Sequence, residues 1–205
     1  MYEEELEKDQ ENIKVSPIKK FLGRFGKGVY DTVEMVVISL AVVVFVYLFI
    51  LSPHEVVGRS MEDNFWNGEY LLADKVSYRF GEPKRGDVVI FQHSETADYI
   101  KRVIGLPGDS VELRDGFYYV NGEKLDEQEY LDDGIYTDGG NYLSEGEVKT
   151  VPEGKYFVSG DNRPHSSDSR AFGVIEKSAI KGRAILVYWP VSHLHTVKRP
   201  SYNVN

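Results

Sequence analysis

The sequence predicts a mostly β fold in which a β-rich domain follows one N-terminal transmembrane helix. Two features indicate this fold class: an uncharged apolar run near the N-terminus, and a series of short strand-like runs between turn signals after residue 52. A hydrophobic fraction of 41% over 205 residues is compatible with one packed domain and an appendage. We therefore expect the chain to divide at the end of the apolar run.

The apolar run covers residues 33–51, VEMVVISLAVVVFVYLFIL, and is uncharged from Met35 to Leu51. A bilayer is spanned by about 20 such residues. A cleavable signal peptide or a buried core helix would be the alternative interpretation. A cleavable signal has a shorter apolar region and a small-x-small site, whereas this run ends in SPHEVVGRS. The pattern favours a retained transmembrane anchor at residues 33–51.

The charges before the run predict its orientation. Residues 14–27 contain five basic side chains and no acidic one. Under the positive-inside rule, residues 1–32 form a cytoplasmic tail, and residues 52–205 lie outside the membrane. The first 13 residues are polar and highly charged, which is typical of a disordered tail.

The residues after 52 alternate between β-rich runs and turn signals, which predicts short strands. The runs are EYLLADKVSYRF, DVVIFQH, DYIKRVIG, SVELRDGFYYVNGEKL, GKYFVSGD and GRAILVYWP. In FYYVNGEKL, the pair Asn121-Gly122 predicts a hairpin with a type I′ turn. Residues 125–149 are acidic, rich in Gly and Tyr, and without clear periodicity, which indicates a loop or small insertion.

Composition excludes several classes of function. The formal net charge is −9, which argues against nucleic acid as a main partner. The absence of cysteine excludes disulfides, thiolate catalysis and cysteine-ligated zinc. His193 and His195 lie two residues apart but lack a third ligand in the pattern, so no metal or cofactor is predicted.

Two adjacent cations, Lys101 and Arg102, lie inside the strand-like stretch YIKRVIGLPGD. Strand residues alternate between faces, so each face carries one cation. A cation against a core must be paired, reach solvent or lose its charge, and only lysine can lose it. Lys101 is therefore a candidate neutral general base, with Arg102 paired or solvated.

A neutral lysine needs a nucleophile, and Ser60 in VVGRSMEDNFW is the candidate. It follows Leu51 by nine residues, so we expect it near the outer membrane surface. Phe65 and Trp66 belong either to the membrane interface or to the core. A second polar stretch, SGDNRPHSSDSRAFG at residues 159–173, forms either a solvated structural loop or part of an active site.

Four motifs then carry a resemblance to a known family. GRSM, RGDVVIF, YIKRVIGLPGD and GDNRPHSSDSRAFG, in this order behind the anchor, resemble the motifs of the bacterial type I signal peptidases, which are membrane-bound Ser-Lys proteases. The resemblance extends to about Pro190 and is nearest to the Gram-positive form. It implies cleavage of preproteins after small residues of the Ala-x-Ala type at the plasma membrane. It also implies signal peptides and the bilayer as partners, with the export translocon as a further candidate.

The resemblance assigns roles to individual positions. Ser60 matches the nucleophile and Lys101 the general base. Ser166 matches a serine that orients the lysine amine, while Asp168 and Arg170 match a supporting ion pair. Asp161 and Arg163, in the same motif, are interpreted as structural.

Two departures from the family pattern concern the nucleophile. The family usually continues Ser-Met-x with Pro-Thr, where this chain has Asp63-Asn64, so the turn or the substrate groove is expected to differ. Some members have a serine two residues before the nucleophile, where this chain has Gly58. We therefore expect the oxyanion donors to be backbone amides, including that of Ser60.

Three other functions compete with this one. A Ser-His-Asp hydrolase is the nearest enzymatic alternative, because His165 lies beside Ser166, although none of the five histidines lies in a recognisable triad motif. Self-cleaving Ser-Lys repressors share related chemistry, but they act in the cytoplasm and the anchor argues against them. A non-catalytic or degenerate membrane-tethered β module of the export machinery is the third alternative, which the missing Pro-Thr favours.

Overall fold

A computed structural model describes residues 17–62, 64–132 and 134–204, with side chains from Phe25 onward. The chain divides into two compact units, one ending at Val46 and one beginning at Tyr47. The second unit consists mainly of antiparallel strands, which confirms the predicted mostly β class. The first 16 residues of the predicted cytoplasmic tail lie outside the described residues.

Helix α1, Pro17–Phe49, contains the predicted anchor. Its part from Phe25 to Phe49 is long and apolar enough to cross a membrane, and nearly all of its side chains are exposed. The helix begins 16 residues before the predicted anchor, because the basic residues there form helix readily although they are not apolar. It ends two residues before the predicted boundary, since Leu51 pairs with Asp74 in the first strand.

The second unit contains twelve strands and two short α-helices within the described residues. The strands are β1 Leu51–Glu55, β2 Tyr70–Asp74, β3 Val88–Gln92, β4 Asp98–Gly105, β5 Ser110–Arg114, β6 Phe117–Val120, β7 Glu123–Lys124, β8 Val148–Thr150, β9 Lys155–Ser159, β10 Ile175–Glu176, β11 Ile180–Trp189 and β12 His195–Thr196. The helices are α2 Ser77–Phe80 and α3 Ser169–Phe172, and short 3₁₀ turns cover Arg163–His165, Lys177–Ala179 and Val191–His193. The run EYLLADKVSYRF therefore contains a strand followed by a short helix.

Two antiparallel sheets form this unit. The larger sheet has the order β1-β2-β11-β3-β4-β9-β10, with β12 also paired to β11, and the smaller has the order β7-β6-β5-β8. Strand β3 is central and buried on both faces: Val88 and Ile90 pack into one core, Val89 and Phe91 into another. Its uninterrupted apolar run reflects this double burial. Strand β4, beside β3, is consequently held between two cores.

The predicted hairpin turn is present. Asn121 and Gly122 join β6 to β7 with φ of 55° and 83°, as a type I′ turn requires. A second pair, Asp115 and Gly116, joins β5 to β6 with φ of 52° and 77°. The predicted insertion at residues 125–149 is mostly irregular, but its last two residues begin β8.

Candidate active site

Strand β4 carries Lys101 into the interior of the second unit. Its backbone is paired opposite Val89 of β3, and its side chain is only 3% exposed. A strand fixed on a buried neighbour gives the amine little freedom of position. The sequence-based expectation of a lysine directed into a packed region therefore agrees with its burial.

The turn after β1 carries Ser60. Gly58 has φ of 99°, a conformation that favours glycine, and its N–H donates to Asn67 Oδ1 at 2.8 Å. On the other side of Ser60, the Met61 side chain is buried in the core. The Ser60 carbonyl accepts a hydrogen bond from the Asn162 N–H at 3.0 Å. These contacts hold the serine from both sides.

Ser60 and Lys101 meet at hydrogen-bond distance: 2.6 Å separates Ser60 Oγ from Lys101 Nζ. The amine also lies 2.9 Å from the Ile100 carbonyl oxygen and 5.2 Å from the centre of the Tyr99 ring. Burial lowers the pKa of Lys101 to about 8, although the charges of Asp168 and Asp161 oppose the shift. At pH 7 about a tenth of the amine is then neutral, and a neutral amine beside a hydroxyl can act as its base.

Arg102, the second cation of the pair, is buried and ion-paired. Its Nε and Nη2 donate to Asp161 Oδ1 and Oδ2 at 2.8 and 2.6 Å. Its guanidinium carbon also lies 4.0 Å from the centre of the Tyr130 ring. Asp161 is thus committed to an arginine rather than to Lys101. The adjacent cations differ in environment: Arg102 has a carboxylate partner, and Lys101 contacts a hydroxyl and a carbonyl.

Asp168 and Arg170 form the second buried ion pair near the site. Asp168 Oδ2 lies 2.7 Å from Arg170 Nη2, and it also accepts from the Gly160 N–H and from Ser159 Oγ. Burial alone would raise the pKa of Asp168, but the hydrogen bonds and charge of Arg170 outweigh burial and lower it. The ionised pair fastens the loop after β9.

Ser166 lies near Ser60, on the other side of Gly160, and the structure shows no hydrogen bond between it and Lys101 among the described residues. It is close enough to Asp168 to help lower that carboxyl's pKa, yet Ser166 Oγ meets no partner in hydrogen-bond geometry among the described residues. The described partners of the amine are Ser60 Oγ and the Ile100 carbonyl. An orienting role for Ser166 therefore stays a prediction from the resemblance.

Gly160 lies between Ser60 and Ser166, and the sequence analysis did not identify it as part of the site. A Cβ at this position would collide with Ser166 Oγ and with the Ser60 carbonyl oxygen.

We predict that Gly160→Ala destabilises the protein by about 1–3 kcal/mol and displaces Ser60. Thermal unfolding and cleavage rates would measure the two effects. Gly154→Ala is the control, because no atom lies within 4 Å of a Cβ there, although its φ of 69° adds some strain. Wild-type behaviour of Gly160→Ala would contradict the close packing.

Other residues of the loop after β9 act structurally, as expected for Asp161 and Arg163. Arg163 is fully buried and donates to Glu127 and Thr137 of the insertion, both contacts at 3.0 Å through Nη1. Asn162, to which the sequence analysis gave no role, donates from Nδ2 to the Arg59 carbonyl at 2.9 Å. In the sequence, the place of Asn162 in the motif GDNR was the feature that could have indicated its role.

The dyad lies in a cleft of about 580 Å³. Residues 54–60 and residues 96–101 form two of its walls, and its apolar lining comes from Val56, Leu71, Ile90 and Ile100. Both walls have free backbone edges in the described chain: β1 pairs with β2 alone, and β9 joins β4 only from Arg102 onward. Such edges can pair with an extended peptide.

Histidines do not take the place of Lys101. His165 lines the cleft, but the side-chain nitrogen at hydrogen-bond distance from Ser60 belongs to Lys101. His193 instead pairs with the buried Glu69, 2.6 Å from Nδ1 to Oε1. The arrangement therefore supports a Ser-Lys pair over a Ser-His-Asp triad.

Comparison with known proteins gives a consistent result. Residues 29–189 match the family model described as signal peptidase, peptidase S26. Signal peptidase IB of Staphylococcus aureus strain COL is 36% identical over 177 residues, which cover 81% of this chain and 92% of the relative. Signal peptidase I of Bacillus licheniformis is 38% identical over 171 residues, 80% of this chain and 91% of the relative. A crystal structure of a signal peptidase I from Enterococcus faecalis V583 is 35% identical, with a TM-score of 0.40 over 50% of this chain and 96% of that one.

Proposed function

This chain belongs to the S26 family of signal peptidases, and from that premise we propose that it is a membrane-bound serine endopeptidase with Ser60 as nucleophile and Lys101 as general base. Membership of the family supports signal peptide cleavage by a serine-type peptidase. The observation that carries the finer proposal is the 2.6 Å contact between Ser60 Oγ and the amine of Lys101, whose pKa burial lowers.

In the proposed reaction, the Lys101 amine carries every proton that is transferred. Lys101 Nζ takes the hydroxyl proton as Ser60 Oγ attacks the scissile carbonyl carbon, and the resulting ammonium protonates the departing amine. Lys101 then deprotonates a water that attacks the Ser60 ester, and the resulting ammonium returns the proton to Ser60 Oγ as the ester bond breaks. The Gly58 N–H is already bonded to Asn67, so we assign oxyanion stabilisation to the Ser60 N–H.

The substrate is proposed to bind as an extended strand between the two free edges of the cleft. Backbone hydrogen bonds along such edges recognise a peptide without regard to its sequence, and side-chain pockets add selectivity. Small residues of the Ala-x-Ala type would fit against the apolar side chains of Val56, Leu71, Ile90 and Ile100. We propose N-terminal signal peptides of exported preproteins as the substrates and the export translocon as a candidate partner.

We propose a single-pass protein of the plasma membrane with a cytoplasmic N-terminus and an extracytoplasmic peptidase domain. The basic residues before the anchor and the apolar stretch Phe25–Phe49 support this orientation. Of the two candidate interface aromatics, Phe65 is buried in the core and Trp66 is 46% exposed. Trp66 is therefore the one we propose to reach the lipid headgroups.

The pH dependence of cleavage follows from the lowered pKa of Lys101. The base is active when neutral, so kcat/KM should fall about tenfold per pH unit below about 8 and level off above it. His54 also lines the cleft, and burial lowers the pKa of its imidazole, which moves its titration further from that of Lys101. Initial rates on a preprotein from pH 6 to 10 measure the profile. A flat profile would contradict a lysine base.

The alternative, a non-catalytic membrane-tethered module, has one feature in its favour: Asp63-Asn64 replaces the family's usual Pro-Thr. Asp63 lies outside the described residues. The Ser60–Lys101 contact and the Asp168–Arg170 pair nevertheless support an active enzyme. A purified protein that binds a preprotein but releases no fragment would favour the module.

A further inference from the structure

We propose that Asn64 is a positioning residue for the Ser60–Lys101 pair, fastening the turn that carries Ser60 to the buried ion pair beside Lys101. The inference rests on the proposed function and concerns how this chain aligns its nucleophile and base. It starts from hydrogen bonds made by a side chain that the family pattern does not explain.

The Asn64 carboxamide uses both of its N–H donors. Nδ2 lies 3.0 Å from Asp161 Oδ2 and 2.8 Å from the Tyr130 carbonyl oxygen. An asparagine amide nitrogen has two donors, and both partners can only accept. The orientation of the carboxamide is therefore determined by its neighbours, since a flipped amide would face two acceptors with its own oxygen.

Asp161 links this turn to the strand of Lys101. Its carboxylate accepts one hydrogen bond from Asn64 and two from Arg102. The side chains of Asp161 and Arg102 are both almost fully buried. Arg102 follows Lys101 directly in β4. A chain of contacts thus runs from the nucleophile turn through Asn64, Asp161 and Arg102 to the base. A displacement of about 1 Å between reacting groups can cost about a hundredfold in rate.

Tyr130, which belongs to the insertion at residues 125–149, contacts both Asn64 and Arg102. Its carbonyl receives the second Asn64 donor, and its ring stacks against the Arg102 guanidinium. Loss of Asn64 would therefore act in two ways, on the nucleophile turn and on the anchoring of the insertion. A matched control is needed for the second effect.

Asn203 provides that control. Its Nδ2 donates to the Lys124 carbonyl at 2.9 Å, and its Oδ1 accepts from the Asp126 N–H at 3.0 Å. It thus makes one hydrogen bond just before the insertion and one inside it. Asn203→Leu removes these bonds, as Asn64→Leu removes its two, while leaving the Asn64–Asp161 contact in place.

Three substitutions at position 64 grade the effect. Asn64→Leu has similar volume and no donor. Asn64→Asp replaces donors with acceptors and sets a second carboxylate against Asp161. Asn64→Thr has one hydroxyl donor, enough for one of the two partners. The expected order of activity is therefore wild type, Asn64→Thr, Asn64→Leu and Asn64→Asp.

The experiment measures kcat and KM for cleavage of one preprotein by the full-length, detergent-solubilised protein, with thermal unfolding recorded for each variant. We expect Asn64→Leu to lower kcat about 10- to 100-fold with KM within about twofold, because alignment rather than substrate binding is lost. Asn64→Asp should also move the acid limb of the pH profile to higher pH, since added negative charge favours the Lys101 ammonium. Asn203→Leu should keep the wild-type kcat.

Wild-type kcat in Asn64→Leu would overturn the inference, as would an equal loss in Asn203→Leu, which would assign the effect to the insertion. If Asn64→Leu fails to fold, Asn64→Asp decides: it keeps the shape of the side chain but loses both donors, and a wild-type kcat on the alkaline plateau of its pH profile would likewise overturn the inference. A wild-type protein that cleaves nothing would overturn the proposed function itself, which is a separate outcome.

Discussion

Replacing Lys101 with Met should reduce the cleavage rate of a preprotein by at least about 10³-fold while leaving the protein folded. Methionine matches the length and volume of lysine without its amine, and the site is 3% exposed, so an apolar side chain suits it. The hydroxyl of Ser60 would lose the base that lies 2.6 Å away. Rates from single-turnover cleavage, with unfolding midpoints recorded in parallel, separate loss of chemistry from loss of fold.

His165→Ala tests the competing triad in the same assay. His165 lines the cleft, and in a Ser-His-Asp enzyme its removal would be as damaging as removal of Lys101. In a Ser-Lys enzyme, His165→Ala should retain measurable cleavage. An active Lys101→Met variant together with an inert His165→Ala variant would reverse the assignment.

Replacing Asp168 with Ala should destabilise the folded protein by about 3–5 kcal/mol, since it leaves the Arg170 charge buried and unpaired. The Gly160 N–H and Ser159 Oγ would lose their acceptor as well. For a chain of this size the unfolding midpoint should fall by roughly 6–20 °C. Thermal unfolding at neutral pH, monitored by circular dichroism, measures the loss.

The pH dependence of this difference has a definite sign. Hydrogen bonds and charge from Arg170 lower the pKa of Asp168 despite its burial, so its contribution is present above the unfolded value of about 3.9. The contribution is lost as pH falls through the lower folded pKa.

Glu112→Ala, which breaks the exposed pair with Arg114, serves as control and should leave the midpoint nearly unchanged. An equal shift in both variants would contradict a special role for the buried pair.

Much of the fold follows from local sequence patterns. The uncharged run predicted a long apolar helix, and the turn pair Asn121-Gly122 predicted a hairpin; the structure contains both. Alternation along β4 correctly separated Lys101 from Arg102. These features depend on neighbouring residues, which is why a single sequence reveals them. The lengths of elements were less accessible, because strand pairing decides where α1 ends and β1 begins.

The site itself depends on contacts between distant segments. The Ser60–Lys101 distance joins residues 41 apart, and the loop after β9 supplies Gly160 and Asn162 to the nucleophile turn. No local pattern encodes such distances. Asn64 shows the same limit: the sequence indicated only a departure from the family pattern, whereas the structure gives its side chain two partners, Asp161 and Tyr130. The Ser166–Lys101 hydrogen bond is the converse case: the resemblance implies it, but Ser166 Oγ has no hydrogen-bond partner among the described residues.

The measurement that tests the central claim most directly is mass spectrometry of the products released from one preprotein by wild-type protein and by Ser60→Ala. The wild type should release two fragments with a single new terminus after a small residue, and Ser60→Ala should release none above the uncatalysed background. Cleavage by Ser60→Ala at the wild-type rate and position, or the absence of any fragment from the wild type, would contradict a Ser60–Lys101 signal peptidase.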